Sequence, residues 1–168
     1  MNSTLTTSLE PTRTESPRFP LPHFERILVG IDFSDSSKTA LNYAFSMAKQ
    51  FGSAVYLLHA VEPCIYPEDL AAGITVDEID ARWTLKKKAE LEEFRRAAGS
   101  QATPTTMDLR RGLPWRQIVE TAQSWHADLI IIGTRGLTGL KHILMGSTAD
   151  KVVRHSTCPV LVIHGPHK

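Results

Sequence analysis

The chain has 168 residues, of which 42% are hydrophobic and 22% charged. That length suits one domain around a single core, and that composition excludes a disordered, collagen-like or disulfide-scaffold chain. With 19 basic and 18 acidic residues the formal net charge is +1, which argues against a protein built mainly to grip nucleic acid or an anionic membrane.

Residues 1–23 are rich in Ser, Thr and Pro. They read as a flexible lead-in, with a single domain over 24–168. The stretch lacks the apolar core of a secretory signal, and no run in the chain reaches the ~18 apolar residues of a membrane span. Ile27-Leu28-Val29-Gly30-Ile31 reads as a buried strand, with Asp32 at its carboxyl end. Ala40, Leu41, Ala44, Met47, Ala48 and Phe51 then recur at threes and fours, one face of a helix. Ser34 or Asp35 is placed to cap it and Gly52 to stop it. Val55 to Val61 is a second strand. A looser stretch with Pro63, Pro67 and Gly73 follows, read as a connection over a functional surface or a lid.

A helix is expected from Val76 to Ala98, its Lys86, Lys87 and Lys88 set among Glu90, Glu92 and Glu93 as a solvated face. Thr105 to Leu109 is a weak third strand. Pro114 suits the first turn of a helix carrying Trp115, Ile118, Val119 and Ala122. Leu129-Ile130-Ile131-Ile132 is the strongest strand signal, four aliphatics in a row fitting a strand covered on both faces. A last helix carries Ala149, Val152 and Val153, and Pro159 to Ile163 closes the chain as a strand. Strands alternating with helices predict an α/β fold, an open doubly wound parallel sheet of five strands. Ligands of such sheets bind at the carboxyl ends of the strands, where the strand order reverses.

Strand four runs into Gly133-Thr134-Arg135-Gly136, and Gly146-Ser147-Thr148 opens the last helix. These glycines let the backbone approach a ligand or take up positive φ. Ser147 is positioned as the helix cap, with Asp150 completing a capping box. A glycine loop beside a helix N-terminus is a phosphate cradle; the alternative is a tight turn and a cap, nothing more. The motif is neither a Walker A loop nor a dinucleotide GxGxxG.

Gly133, two residues, Gly136, nine residues and then Gly146-Ser147 resembles the nucleotide signature of the universal stress protein family. Ile27 to Ser34, Leu57 to Val61, Gly112-Leu113-Pro114, Asp128 to Gly133 and Cys158 to Val162 resemble the family's other landmarks in order, covering Arg26 to His164. The resemblance implies a flavodoxin-like, Rossmann-like sheet of order 3-2-1-4-5, a homodimer, and binding of ATP or of ADP or AMP, with or without Mg²⁺. It also places Ala60, where many members have Val, against adenine through its backbone.

Asp32 makes sense at the adenine or ribose end or through a cation, since a carboxylate facing phosphates repels them; its alternative is a helix cap. Gly30 and Ile31 would lie along the base, unless Gly30 is a packing glycine. Gly133, Thr134, Gly136, Gly146, Ser147 and Thr148 would donate to the phosphates. Arg135 would add a bidentate contact or stay solvated, and Lys141 is a weaker candidate. His155, Cys158, His164 and His167 invite a metal reading, but the strand after Pro159 separates them. Cys64 and Cys158 have no CxxC spacing and read as reduced thiols of a cytoplasmic protein.

The expected function is a nucleotide-binding regulatory protein of the stress response, without efficient turnover. The alternative is a slow ATP hydrolase, which needs a positioned base. A flavin-type electron carrier is a third reading. Pro159 to Ile163 is expected at a sheet edge, where a second copy would pair with it.

Overall fold

The computed structural model describes residues 23–61, 75–99, 103–134 and 145–165. Nine elements follow in order: β1 (Arg26–Ile31), α1 (Asp35–Phe51), β2 (Ala54–Val61), α2 (Val76–Ala97), β3 (Thr105–Arg111), α3 (Pro114–Trp125), β4 (Leu129–Gly133), α4 (Ser147–His155) and β5 (Val160–Ile163). The strands form one parallel sheet of order β3-β2-β1-β4-β5. This is the expected α/β, Rossmann-like architecture and strand order.

The alternation of side chains along each strand divides the core into two layers. Ile27, Val29 and Ile31 of β1 and Ile131 of β4 pack with Leu41, Ala44 and Phe45 of α1 and Leu91 of α2. Leu28, Ile130 and Ile132 pack on the other face with Ile118 and Ala122 of α3 and Val152 of α4. The four aliphatics of β4 are buried on both sides, as their unbroken run implies.

Local chemistry sets most boundaries. Ser34 caps α1, accepting from the Ser37 N–H, and Gly52 ends it at φ 73°, a left-handed position that favours glycine. Thr75 and Glu78 form a reciprocal capping box at the start of α2. Pro114 occupies the first turn of α3, where its missing N–H costs nothing. The third strand runs two residues beyond the expected Leu109. Arg110 and Arg111 extend it by pairing with Ala60 and Val61 of β2, and their guanidinium groups meet Asp108 and Asp80 at 2.8 and 2.6 Å. The last strand begins at Val160; Pro159 has no N–H to give, but its carbonyl accepts from the Ile130 N–H at 3.0 Å.

Of the expected lead-in only His23 is described, and its ring meets Phe51 edge-on. The expected lid between β2 and α2, and Cys64 with it, lie outside the described residues. Among those residues no helix is long and apolar enough to cross a membrane.

The amino ends of β1 and β4 are locked by one carboxylate. Asp128 Oδ2 accepts from the N–H groups of Glu25 and Arg26, both at 2.9 Å, and the Asp128 N–H donates to Arg26 O. Asp128→Ala leaves both donors without that partner and is expected to lower stability by about 1–3 kcal/mol in urea denaturation.

Candidate functional site

β1 pairs with β2 on one side and with β4 on the other. The helices that follow β1 and β4 pack on opposite faces of the sheet, so the carboxyl ends of these strands part. A cavity of about 160 Å³ opens there. Its floor and apolar side are Gly30, Leu58, Ala60, Pro114, Ile118 and Ile132. Ile31, Asp32 and Ser37 line it near the start of α1, and Gly133, Thr134, Gly146, Ser147, Thr148 and Ala149 line it near the start of α4. Two helix N-termini therefore flank one cavity, and their partial positive charges favour an anion.

The cap of α4 differs from the expectation. Gly146 is the N-cap and Ser147 the first helical residue, with no side-chain cap bond. The Gly146 N–H is committed to Thr134 O at 2.7 Å. The first intrahelical bond is Asp150 N–H to Gly146 O, so the amides of Ser147, Thr148 and Ala149 precede the helical ladder. Thr134 is 2% exposed, and its hydroxyl has no partner among the described residues. A buried hydroxyl without a partner is costly.

Neither loop glycine described takes positive φ. Gly146 has φ −68°, and Gly133 is not among the left-handed glycines. A Cβ at Gly133 would lie 2.5 Å from Ser36 Oγ and 2.9 Å from Ser36 C, so this glycine lets β4 pass the first turn of α1. A Cβ at Gly30 would meet Ile118 Cδ1 at 3.0 Å. Gly30 is thus a packing glycine that also lines the cavity.

Asp32 does not cap α1; it holds the residue that does. Its Oδ1 accepts from the N–H of Ser34 at 3.0 Å and from the Ser34 hydroxyl. Phe33 between them has φ 65°. For a bulky residue the left-handed region costs roughly 1–2 kcal/mol.

Nine of the expected residues, Gly30, Ile31, Asp32, Ala60, Gly133, Thr134, Gly146, Ser147 and Thr148, line this one cavity. Arg135, Gly136 and Lys141 lie outside the described residues. Ser37, Leu58, Pro114, Ile118, Ile132 and Ala149 were not anticipated as lining residues. Their only sequence signal is position at an element end or on a core face. His155 has its Nδ1 on Lys151 O at the end of α4, and His164 lies beyond β5. Among the described residues no three His, Cys, Asp or Glu gather as metal ligands.

Residues 23–164 match the model of the universal stress protein family. The chain belongs to this family. It is 33% identical over 149 residues to the universal stress protein MJ0531 of Methanocaldococcus jannaschii, covering 86% of this chain and 85% of that one. The solved structure of MJ0577 superposes with a TM-score of 0.74 at 26% identity, over 88% of this chain and all of that one. A universal stress protein in complex with cAMP matches at TM-score 0.58 and 27% identity, covering 86% and 100% of the two chains. One from Archaeoglobus fulgidus in complex with dAMP matches at 0.54 and 25%, covering 82% and 96%.

In this family member the opposite face of the crevice loop rests on His59, which is 6% exposed. Its Nδ1–H donates to Ile31 O at 2.7 Å, while Nε2 has no partner among the described residues. Burial pushes the imidazole below its ordinary pKa, and nearby Lys87 adds to this. The bond to Ile31 and the carboxylates of Asp32 and Glu90 oppose the shift without overcoming it. A histidine with a depressed folded-state pKa takes up a proton more readily when unfolded, so folding stability falls as pH drops below about 6.5. Urea midpoints are expected to decline from pH 7 to about pH 5 in the wild type and to decline less in His59→Phe, which cannot titrate.

Proposed function

We propose that this universal stress protein binds an adenine nucleotide, ATP or its ADP and AMP relatives, in the crevice between β1 and β4, and acts as a nucleotide-dependent regulatory protein of the stress response. The observation that carries this is Thr134, which lines the same cavity as the first turn of α4 and whose buried hydroxyl has no partner among the described residues. A phosphate oxygen there would accept from that hydroxyl and from the amides of Ser147 and Thr148. The apolar side, with Gly30, Ala60, Ile118 and Ile132, suits a flat base. Asp32 lines the same cavity with one carboxylate oxygen held by Ser34, which leaves the other for a ribose hydroxyl. Family members in complex with cAMP and dAMP agree with an adenine ligand.

Binding without efficient turnover is the better reading. Hydrolysis needs a group to orient or deprotonate water. Among the described lining residues only Asp32 is ionisable, and its Oδ1 is taken. Mg²⁺ is a companion the triphosphate itself could bring. A cytoplasmic location suits such a ligand.

Thr134→Val removes this hydroxyl while keeping the side chain's shape. We expect melting of the free protein to be unchanged or raised, and ATP affinity in calorimetry to fall about tenfold. Wild-type ATP affinity in the variant would defeat the reading.

A homodimer through β5 accompanies this proposal. β5 is an edge strand, and Val160, Leu161 and Val162 are only half-buried. An apolar edge is a template for a second copy. Val162→Lys is expected to convert the dimer to monomer in analytical ultracentrifugation; a variant that sediments as a dimer places the interface elsewhere.

A further inference from the structure

Asp32 and Ser34 close a turn in which the Asp32 side chain stands in for a main-chain carbonyl. Phe33 holds the second central position, which in the type II form of such a turn requires positive φ. Glycine or asparagine would take that conformation with less strain, yet the chain has phenylalanine, at φ 65°. The ring explains how the conformation persists. It lies 4.6 Å from the His59 ring and 5.5 Å from Phe94, edge-on to the latter, and Lys87 Nζ sits 5.0 Å from its centroid. His59 is itself fixed to Ile31 O, one residue before Asp32. So β2 and α2 grip a side chain whose own backbone sits between Asp32 and Ser34.

We infer that Phe33 is a positioning residue for the nucleotide site: its ring, held by His59, Phe94 and Lys87, keeps residue 33 left-handed and thereby aims the Asp32 carboxylate into the crevice. Phe33 is not among the residues lining the cavity. It acts through Asp32, and it ties α2 on one face of the sheet to a ligand bound at the other. The effect on affinity rests on the nucleotide reading above; the effect on the turn does not.

The test uses the full-length chain and two readouts. Amide exchange at Ser34, whose N–H is held by Asp32 Oδ1, is expected to accelerate about tenfold in Phe33→Ala, with exchange at Ile131 in the core unchanged. ATP affinity is expected to fall about fivefold to tenfold in Phe33→Ala, but less than about twofold when Phe33→Ala is added to Asp32→Ala, because a residue acting through Asp32 has nothing left to position. A merely structural loss would multiply with Asp32→Ala. Phe33→Leu, which keeps apolar bulk but loses the ring contacts and gains no preference for positive φ, serves if the alanine variant does not fold, and the same two changes are expected. Unchanged Ser34 exchange, wild-type ATP affinity in the Phe33 variants, or independent effects in the double variant would overturn the inference. If the wild type binds no ATP while Ser34 exchange still accelerates, the nucleotide reading fails and the positioning of Asp32 stands.

Discussion

Everything at the crevice follows from the reversal of strand order beside β1. A parallel sheet needs a crossover after every strand, and right-handed crossovers in opposite directions put α1 and α2 on one face and α3 and α4 on the other. Only between β1 and β4 do the chains diverge at their carboxyl ends. The β4 side of the gap is tied by two short bonds. Thr134 N–H reaches Ile163 O and Gly146 N–H returns to Thr134 O, at 2.8 and 2.7 Å. Together they bring the start of α4 back onto the end of β4, so that its first turn, Ser147 to Ala149, lines the cavity.

The charge arrangement within that gap is uneven in a useful way. The N-terminus of α4 and a buried hydroxyl with no partner among the described residues lie toward β4, while the single carboxylate of the described lining stands at the end of β1. An anionic ligand with a hydrogen-bonding sugar is oriented by such a gradient with its phosphate toward α4, since the reverse pose sets two anions together. The opposite face of the same loop is aromatic. Phe33, His59, Phe94 and Trp83 fill it, with Lys87 and Arg111 over two of the rings. The two faces are joined through a few backbone bonds around residue 33.

The parallel sheet was legible in the periodicity, and its strand order through the family resemblance. The run Leu129 to Ile132 could only be a strand covered on both sides, and the pattern from Ala40 to Phe51 could only be an amphipathic helix. The cavity was legible where glycines and strand ends announced it. What escaped the sequence was tertiary. Ile118 and Pro114 look like ordinary helix residues, and their place in the cavity wall depends on how α3 lies across Gly30. Ser147 has the chemistry of a cap, but Gly146 takes that position because its amide is drawn to Thr134. Spacing also credits Gly133 with a role toward phosphate, whereas the space its missing side chain leaves is filled by Ser36. No local pattern announces that Phe33 is left-handed, since phenylalanine is among the residues least expected there.

Ser36 lies between two glycines from distant parts of the chain, Gly133 at the end of β4 and Gly165 after β5, where a Cβ would come within 3.3 Å of its Cα. Three segments thus share one hydroxyl-sized joint. Drift at any of the three positions would have to be compensated at the others. Retention of glycine at position 133 across a lineage would therefore record the geometry of this joint as much as any ligand, and the amides and hydroxyls of α4's first turn would be the cleaner record of what the crevice holds.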